Sequence, residues 1–409
     1  MSTEFAQAIN GEQIEYEVKK MYRAIKIRLL PTKEQETLFW KSAGTARWAY
    51  NYFLSANEQA YKEGKRIDVY EVLRHINNVL KKTTHTWLRE VGCNVTKQGV
   101  KDAALALQRY IKGISSKPKF KKRRKSKISF YVNYERLKRT KNGFHGEKIG
   151  FIKTAASLPK IAKGKHYVNP HISFDGKHWY LSVGYEVKQK QVELTGESMG
   201  IDLGVKELAI VSNQDASRTK FYENINKSAK VRRLEKKLKR EKRKVSRKQE
   251  ANIKSHEKKH RPIWKRPLRE CRNIQKQNKI IQLLYKKLTD IRTNYLHQTT
   301  TEIVKTKPSK IVMEDLNVKG MMKNRHLAKA VAKQRFYEFK RQIKYKAEMY
   351  GIKVIEVDRW YASSKTCSCC GYIKHDLKLS DRIYICPICN TKLDRDLNAA
   401  INLANYKTA

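Results

Sequence analysis

Five cysteines lie close together near the end of this 409-residue chain, and four of them have the spacing of a metal site. Cys367 and Cys370 form one C-x-x-C motif, Cys386 and Cys389 form a second, and fifteen residues separate the two motifs. This spacing is typical of two knuckles that close a tetrahedral four-thiolate zinc site. Because such a site has no open position for a reactive water, we expect one structural Zn²⁺.

Two disulfides are the alternative for the same four cysteines. We expect no signal peptide, and the protein is rich in lysine, so we expect a reducing cytoplasm, in which disulfides are rare. Cys369 places an extra thiol between two of the expected ligands. The sequence therefore leaves open whether Cys369 takes part in zinc ligation.

Three carboxylates lie in apolar surroundings that would bring them together. Asp202 lies inside the apolar run of MGIDLGVKELAIVSN, and Glu314 ends the short strand of KIVMEDLNVKG. In DRDLNAAINL, helical spacing places Asp396 on one face with Ala399 and Ala400, whose small side chains permit close approach to a sheet. A buried carboxylate needs compensation, and a bound cation is a common solution. The sequence therefore predicts a cation site formed by these three acids.

Simpler roles remain open for the same acids. Asp202 and Glu314 could be neutralised by a lysine or by turn amides, and Asp394 or Asp396 could only cap the last helix. Asp394 lies about 200° around that helix from Asp396, so the two aspartates are not expected to share one site.

The elements that must position the acids form a predicted βαβ unit. A strand at Ile311, a helix from about Leu327 to Tyr350 that ends at Gly351, and the strand IKVIEV follow one another. This order predicts parallel strands. The ends of such strands are where open α/β sheets bind ligands, which favours Glu314 as a site residue.

The first half of the chain has a different pattern. The alternation in YRAIKIRLL predicts a strand, and Thr32 with Gln35 forms a capping box that begins a helical region reaching about residue 114. Short alternating strands then continue to about residue 195. Asp175-Gly176 predicts the turn of a hairpin with one buried face.

The charge of the chain predicts a polyanionic partner. There are 90 Lys and Arg against 39 Asp and Glu, a formal net charge of +51. The basic residues are spread along the chain, with dense stretches at 117–127 and 230–270, and such stretches are often only solvated surface. Two of them on a folded protein favour a nucleic-acid track, because phosphate neutralisation releases counterions. No run is long and apolar enough for a membrane span, so we expect no membrane partner.

These motifs, in their order and form, resemble the TnpB family. GIDLGVKELAI, IVMEDLNVKGM and DRDLNAAINL are similar to its three RuvC-like nuclease motifs, and SSKTCSCCG with CPIC is similar to its zinc ribbon. IKIRLLPTKEQ and KPKFKKRRKSKISF extend the similarity over nearly all of the chain after residue 20. The resemblance implies a transposon-encoded, RNA-guided DNA endonuclease.

The resemblance also implies an α+β multidomain architecture. A wedge-like β-barrel would be interrupted by a helical recognition insertion and followed by an RNase H-like, RuvC-type α/β domain that holds the zinc ribbon. The implied ranges are 21–32 with 115–196 for the barrel, 33–114 for the insertion, 197–409 for the nuclease domain and 363–392 for the ribbon. Residues 1–20 match nothing and remain unassigned.

The implied chemistry is two-metal hydrolysis of a phosphodiester. Asp202, Glu314 and Asp396 would hold two Mg²⁺ ions, and Cys367, Cys370, Cys386 and Cys389 would hold one Zn²⁺. The implied partners are a guide RNA and double-stranded target DNA flanked by a short motif, in a bacterial or archaeal cytoplasm near the nucleoid. Two alternatives remain: a nuclease-inactive, RNA-guided DNA-binding regulator, and a transposase in the strict sense.

Overall fold

The computed structural model describes residues 21–123, 126–257, 261–378 and 380–407. These residues divide into two compact units at the step from Lys188 to Gln189. The unassigned segment 1–20 lies outside the described residues, and so do small parts of the two basic stretches, 124–125 and 258–260. Within the described ranges, no helix is long and apolar enough to cross a membrane.

A seven-stranded antiparallel sheet forms the core of the first unit. Its buried face includes Ile27 and Leu29, as the alternation of the first strand predicts. Closure of this sheet into a barrel stays a prediction. The strands are β1 (Met21–Leu30), β2 (Ile128–Tyr131), β3 (Lys138–Arg139), β4 (Gly143–Gly146), β5 (Gly150–Thr154), β6 (Val168–Phe174) and β7 (Trp179–Val187), in the spatial order β2-β6-β7-β1-β5-β4-β3.

The predicted hairpin connects β6 to β7. Gly176 has a φ of +98°, which a residue with a Cβ rarely adopts, and the Asp175 side chain accepts hydrogen bonds from the amides of Lys177 and His178 at 2.9 Å each. Ile172 and Trp179 lie on the buried face, with 0% and 1% of their surface exposed. This prediction is confirmed.

The helical region also follows the prediction. The Gln35 amide donates to the Thr32 hydroxyl at 3.2 Å and the Thr32 amide donates to the Gln35 side chain at 3.1 Å, so the capping box is confirmed. The helices are α1 (Lys33–Lys62), α2 (Val69–His75) and α3 (Cys93–Ile111), with a π-helical turn at Ile76–Leu80 and a 3₁₀ turn at Thr86–Glu90.

A five-stranded mixed sheet forms the core of the second unit. The two strands of the predicted βαβ unit, Pro308–Glu314 and Lys353–Val357, pair in parallel at one edge of this sheet, which confirms the prediction. The strand Thr195–Leu203 also pairs in parallel with Pro308–Glu314, and two further hairpins lie outside the sheet. The sheet has the order β10-β9-β8-β13-β14. The strands are β8 (Thr195–Leu203), β9 (Glu207–Asn213), β10 (Lys220–Glu223), β11 (Ile253–Glu257), β12 (Arg261–Trp264), β13 (Pro308–Glu314), β14 (Lys353–Val357), β15 (Ile383–Ile385) and β16 (Lys392–Asp394).

The helices of the second unit depart from the prediction at one point. The sequence predicts a single helix from about Leu327 to Tyr350, and this prediction is wrong. Arg335 adopts a left-handed conformation with a φ of +58°, which divides the segment into two helices. Buried Gln334 donates to the carbonyls of Gly204 and Val205, which holds the break against the turn after β8. The helices are α4 (Ala229–Glu250), α5 (Arg272–Lys305), α6 (Val318–Met321), α7 (Ala328–Gln334), α8 (Phe336–Glu348) and α9 (Arg395–Ala404).

Candidate active site and cysteine centre

The two strand-borne acids lie side by side on one face of the mixed sheet. In the parallel pair of β8 and β13, Val312 lies opposite Gly200. Two residues further on, the same register places Glu314 beside Asp202, and residues two apart in a strand share a face. Val312 packs against Leu403 of α9, so both acids point toward the side of the sheet that α9 covers.

The third acid reaches that face because α9 lies directly on the strand backbone. A Cβ built on Gly200 would come within 2.0 Å of the Ala400 carbonyl oxygen and 2.4 Å of the Ala404 amide nitrogen. Only glycine fits such an approach. Asp396 precedes Ala400 by one helical turn and therefore lies above the neighbouring acid, Asp202, two residues beyond Gly200.

Replacing Gly200 with Ala is expected to displace α9 from the sheet. The added methyl group meets backbone atoms, which cannot rotate away, so the free energy of unfolding should fall by about 1–3 kcal/mol or more, with loss of any activity that needs Asp396. Denaturant unfolding measures the change. The control is Gly196→Ala on the same strand, where a Cβ meets no atom within 4 Å. Equal stability of the two variants would contradict this packing.

Asp394 and Asp396 have different roles. The Asp394 carboxylate is the N-cap of α9 and accepts from the amides of Asp396 and Leu397 at 2.9 and 3.2 Å. Asp396 therefore does not cap α9. Arg395 donates to one of its oxygens at 3.2 Å, and Arg382 lies 3.9 Å from the other. The capping role that the sequence left open thus belongs to Asp394.

The neighbouring acids Glu314 and Asp315 are distinguished in the same way. Asp315 is half-exposed and forms ion pairs with Lys340 and Arg359, both at 3.2 Å. The hydrogen bond from Lys340 lowers the pKa of Asp315 below its ordinary value. Glu314 instead accepts a hydrogen bond from the Ser363 hydroxyl, and burial raises its pKa. Lys340 therefore neutralises Asp315, whereas Glu314 lies beside Asp202 on the face of the sheet that α9 covers.

The electrostatics of Asp202 indicate a site of concentrated negative charge. Burial raises the pKa of Asp202 well above its usual range, the charges of Glu314 and Asp396 raise it further, and Arg395 opposes the shift. The three carboxylates therefore interact. Among the described residues, the three acids do not form a cluster whose ligand atoms all lie within 4.8 Å of one another.

Asp202→Asn is expected to raise the melting temperature of metal-free protein at neutral pH. A raised folded-state pKa means that ionisation of Asp202 costs stability as the pH rises above the ordinary value of 3.8. The variant should lose this penalty, so its melting temperature should exceed that of the unmodified protein. This difference should vanish as the pH falls toward 3.8. Asp315→Asn, which removes a stabilising charge, should lower the melting temperature slightly. A lower melting temperature for Asp202→Asn would contradict the shift.

Four cysteines form the second cluster. The Sγ atoms of Cys367, Cys370, Cys386 and Cys389 all lie within 4.8 Å of one another, and the closest pairs are 3.5 and 3.6 Å apart. Tetrahedral zinc with bonds of about 2.3 Å requires sulfur separations of about 3.8 Å, so the cluster fits Zn²⁺. Cys369 is exposed and lies outside the cluster.

The cysteine cluster is joined to the acids by two asparagines that the sequence did not single out. Asn398 and Asn402 lie one turn apart on α9 and both donate to the Thr366 carbonyl at 2.6 Å. Asn402 also donates to the Ser363 carbonyl at 2.7 Å, and the Ser363 hydroxyl holds Glu314. The segment that enters the cysteine cluster thus fixes two of the three acids.

The other end of the cysteine cluster leads directly into α9. β15 and β16 pair antiparallel, with Ile383 opposite Asp394, and Asp394 is both the last residue of β16 and the cap of α9. Buried Tyr384 fills the space beside the cysteines, with 0% of its surface exposed. A metal bound by the four thiols would therefore anchor the start of the helix that carries Asp396.

Comparison with known proteins connects this arrangement to one family. Three family models match: "Helix-turn-helix domain" at residues 21–66, "Probable transposase" at 182–325, and "Cas12f1-like, TNB domain" at 336–403. The last two include all three acids and all four clustered cysteines. These matches make the chain similar to the TnpB family. At 21–66 the structure has the strand β1 and the single long helix α1.

Relatives of this chain match it along almost its whole length. A protein of Streptomyces pristinaespiralis named "Putative RNA-guided DNA endonuclease" is 27% identical and covers 94% of this chain and 89% of its own. "Putative RNA-guided DNA endonuclease InsQ" of Escherichia coli is 26% identical over 94% and 92%. "TnpB-like protein L79" of Acanthamoeba polyphaga mimivirus is 24% identical over 97% and 76%.

A solved structure supports the fold of this chain. The cryo-EM structure of the Cas12f1–sgRNA–target DNA complex matches with a TM-score of 0.56 at 14% identity, covering 94% of this chain and 99% of that one. At this identity the match shows the fold alone. It confirms the predicted multidomain α+β class.

Proposed function

We propose that this protein is an RNA-guided DNA endonuclease of a transposable element. Its site for DNA hydrolysis consists of Asp202, Glu314 and Asp396. The observation that carries the proposal is the convergence of the three acids, two on adjacent parallel strands and one on the helix packed against Gly200. The names of the relatives from Streptomyces and Escherichia coli support the same activity.

The three carboxylates suit hard divalent cations. Oxygen ligands are what Mg²⁺ prefers, and burial together with the charges of Glu314 and Asp396 raises the pKa of Asp202, a cost that a bound cation would relieve. Two Mg²⁺ ions, when bound, would supply an activated water and stabilise the leaving oxygen of the cut strand. Asp202, Glu314 and Asp396 would hold them.

The surrounding residues orient these acids. Ser363 donates to Glu314 and fixes the direction of its carboxylate. The guanidinium groups of Arg395 and Arg382 lie beside Asp396, where they balance its charge and could contact a phosphate of the bound strand. Lys340 donates to the Glu314 carbonyl at 3.3 Å and keeps the end of β13 in place.

The basic face of α4 is the proposed track for the nucleic-acid backbone. Its buried side packs on α5 through Val231 and Leu238. Glu235 forms ion pairs with Arg292 and Lys333 at 2.8 and 2.7 Å, so this acid is already neutralised. The lysines and arginines of the outer face, including Arg232, remain exposed. Such a face binds phosphates without reading sequence.

The domain assignment follows the same proposal. The antiparallel sheet would be the wedge, at 21–32 and 115–196, with 33–114 as the helical recognition insertion. Residues 197–409 would be the nuclease domain, and 363–392 a ribbon that binds one structural Zn²⁺. Sequence specificity would come from pairing of a guide RNA with the target strand next to a short flanking motif.

The test is cleavage of matched DNA by the protein purified with its RNA. A net charge of +51 repels itself unless neutralised, so we expect the protein to copurify with a noncoding RNA and to be poorly behaved without it. Addition of Mg²⁺ should give cuts only in DNA that matches the guide, with no joining of strands.

Three outcomes would contradict the proposal. Equal cleavage of bare DNA by the RNA-free protein would show that cleavage needs no guide RNA. Strand-transfer products would make the protein a transposase in the strict sense. Guided binding without any cleavage over a range of divalent ions would make it a regulator.

A further inference from the structure

A largely exposed tryptophan lies on the segment that holds Glu314. Trp360 has 86% of its surface exposed, although indole is among the costliest side chains to leave in water. Ser363, which donates to Glu314, follows three residues later. Consecutive Cα atoms are about 3.8 Å apart, so the two Cα atoms are at most about 11 Å apart.

The backbone on both sides of Trp360 is fixed, although its ring is exposed. The Trp360 amide donates to the Asp358 carboxylate at 2.8 Å, and the Tyr361 amide donates to the Asp358 carbonyl at 3.0 Å. The Tyr361 ring packs edge-on against Tyr406 at 5.2 Å, and its hydroxyl donates to the Asn402 carbonyl at 3.3 Å. The indole is therefore presented from a rigid turn.

One cation, Arg359, lies next to the exposed indole, between the acidic residue Asp358 of the same turn and Trp360. Arg359, next in the chain, forms an ion pair with Asp315 at 3.2 Å and remains half-exposed. A cation beside an exposed aromatic face is the combination that binds a phosphate and stacks its base. Stacking does not depend on base identity, which suits an enzyme whose sequence choice lies in a guide.

We propose that Trp360 stacks on a base of the single DNA strand that enters the acid site, and so positions the adjacent phosphodiester for hydrolysis. This inference rests on the proposed nuclease function. It assigns Trp360 to substrate binding rather than to the fold, since its side chain contributes little buried surface.

The experiment uses the complete complex of protein and guide RNA on matched DNA. Trp360→Ala should raise KM for cleavage about tenfold with a smaller change in kcat, whereas Trp360→Phe should stay close to the unmodified protein. The control is Phe221→Ala, because Phe221 is an exposed aromatic residue on β10, at the opposite edge of the sheet from β14. It should leave KM unchanged.

A spectroscopic measurement separates stacking from a structural effect. DNA carrying 2-aminopurine at successive positions of one strand is bound by the complex in the Asp202→Asn background, which is expected to bind without cutting. Quenching at one or two positions should be lost when Trp360→Ala is added and kept with Trp360→Phe. Unchanged KM and quenching in Trp360→Ala, in a complex that cleaves normally, would overturn the inference and leave the nuclease function standing. Absence of guided cleavage by the unmodified complex would instead refute the proposed function.

Discussion

Asp202→Asn, Glu314→Gln and Asp396→Asn are each expected to reduce guided DNA cleavage by roughly a thousandfold or more. Each change keeps the shape of the side chain and removes the charge that would hold Mg²⁺, and loss of several kcal/mol of transition-state stabilisation corresponds to about that factor. Gln at position 314 can still accept the hydrogen bond from Ser363, so the loss should come from the charge. Single-turnover cleavage rates measure the effect.

Binding should survive in the same variants. Contacts between lysine or arginine and phosphate supply most of the affinity for RNA and DNA, and these substitutions leave them in place. A filter-binding or mobility-shift assay with matched DNA should therefore give nearly unchanged dissociation constants at a fixed salt concentration. Loss of binding together with cleavage would place the three acids in the fold rather than in the chemistry.

Asp394→Asn is the matched control, because Asp394 lies two residues from Asp396. Asparagine is as good an N-cap as aspartate, so α9 should keep its start and cleavage should remain substantial. Asp394→Ala should lower stability by about 1 kcal/mol through loss of the cap. Abolished cleavage in Asp394→Asn, with activity retained in Asp396→Asn, would reverse the assignment of the two aspartates.

Sequence alone was enough to predict most elements that carry the site. The periodicity in DRDLNAAINL and the βαβ pattern around Glu314 are local signals, and the structure confirms the helix and the parallel pair. Close approach of α9 was expected from Ala399 and Ala400. The other half of that contact is Gly200, an isolated glycine inside a strand, which is itself a sequence signal for close backbone approach.

What the sequence could not predict depends on contacts between distant residues. The break at Arg335 occurs where Gln334 reaches the turn after β8, about 130 residues earlier in the chain, and helical periodicity contains no sign of it. Asn398 and Asn402 look like ordinary polar positions on a short helix. Their role exists only because the segment from Ser363 to Thr366 folds back against α9.

Cys386→Ser is expected to lose Zn²⁺ and cleavage together. Cys386 is fully buried in the cluster, and structural zinc contributes on the order of 10–16 kcal/mol to the folding of small zinc modules. Without the metal, the hairpin of β15 and β16 should loosen. Asp394 caps α9 from that hairpin, so Asp396 should lose its position. Zinc content per protein and cleavage rate are measured on the same preparation.

Cys369→Ser separates this effect from the loss of any thiol. Cys369 lies between two residues of the same motif but is exposed and outside the cluster, so its variant should keep a full equivalent of zinc and normal cleavage. Guide RNA binding in Cys386→Ser should persist, because α4, which carries the basic face, is held by its apolar side packing on α5. Normal zinc content in Cys386→Ser would refute the four-cysteine ligand set. Zinc loss with full cleavage would instead show that α9 keeps Asp396 in place without the ribbon, through its packing on Gly200 alone.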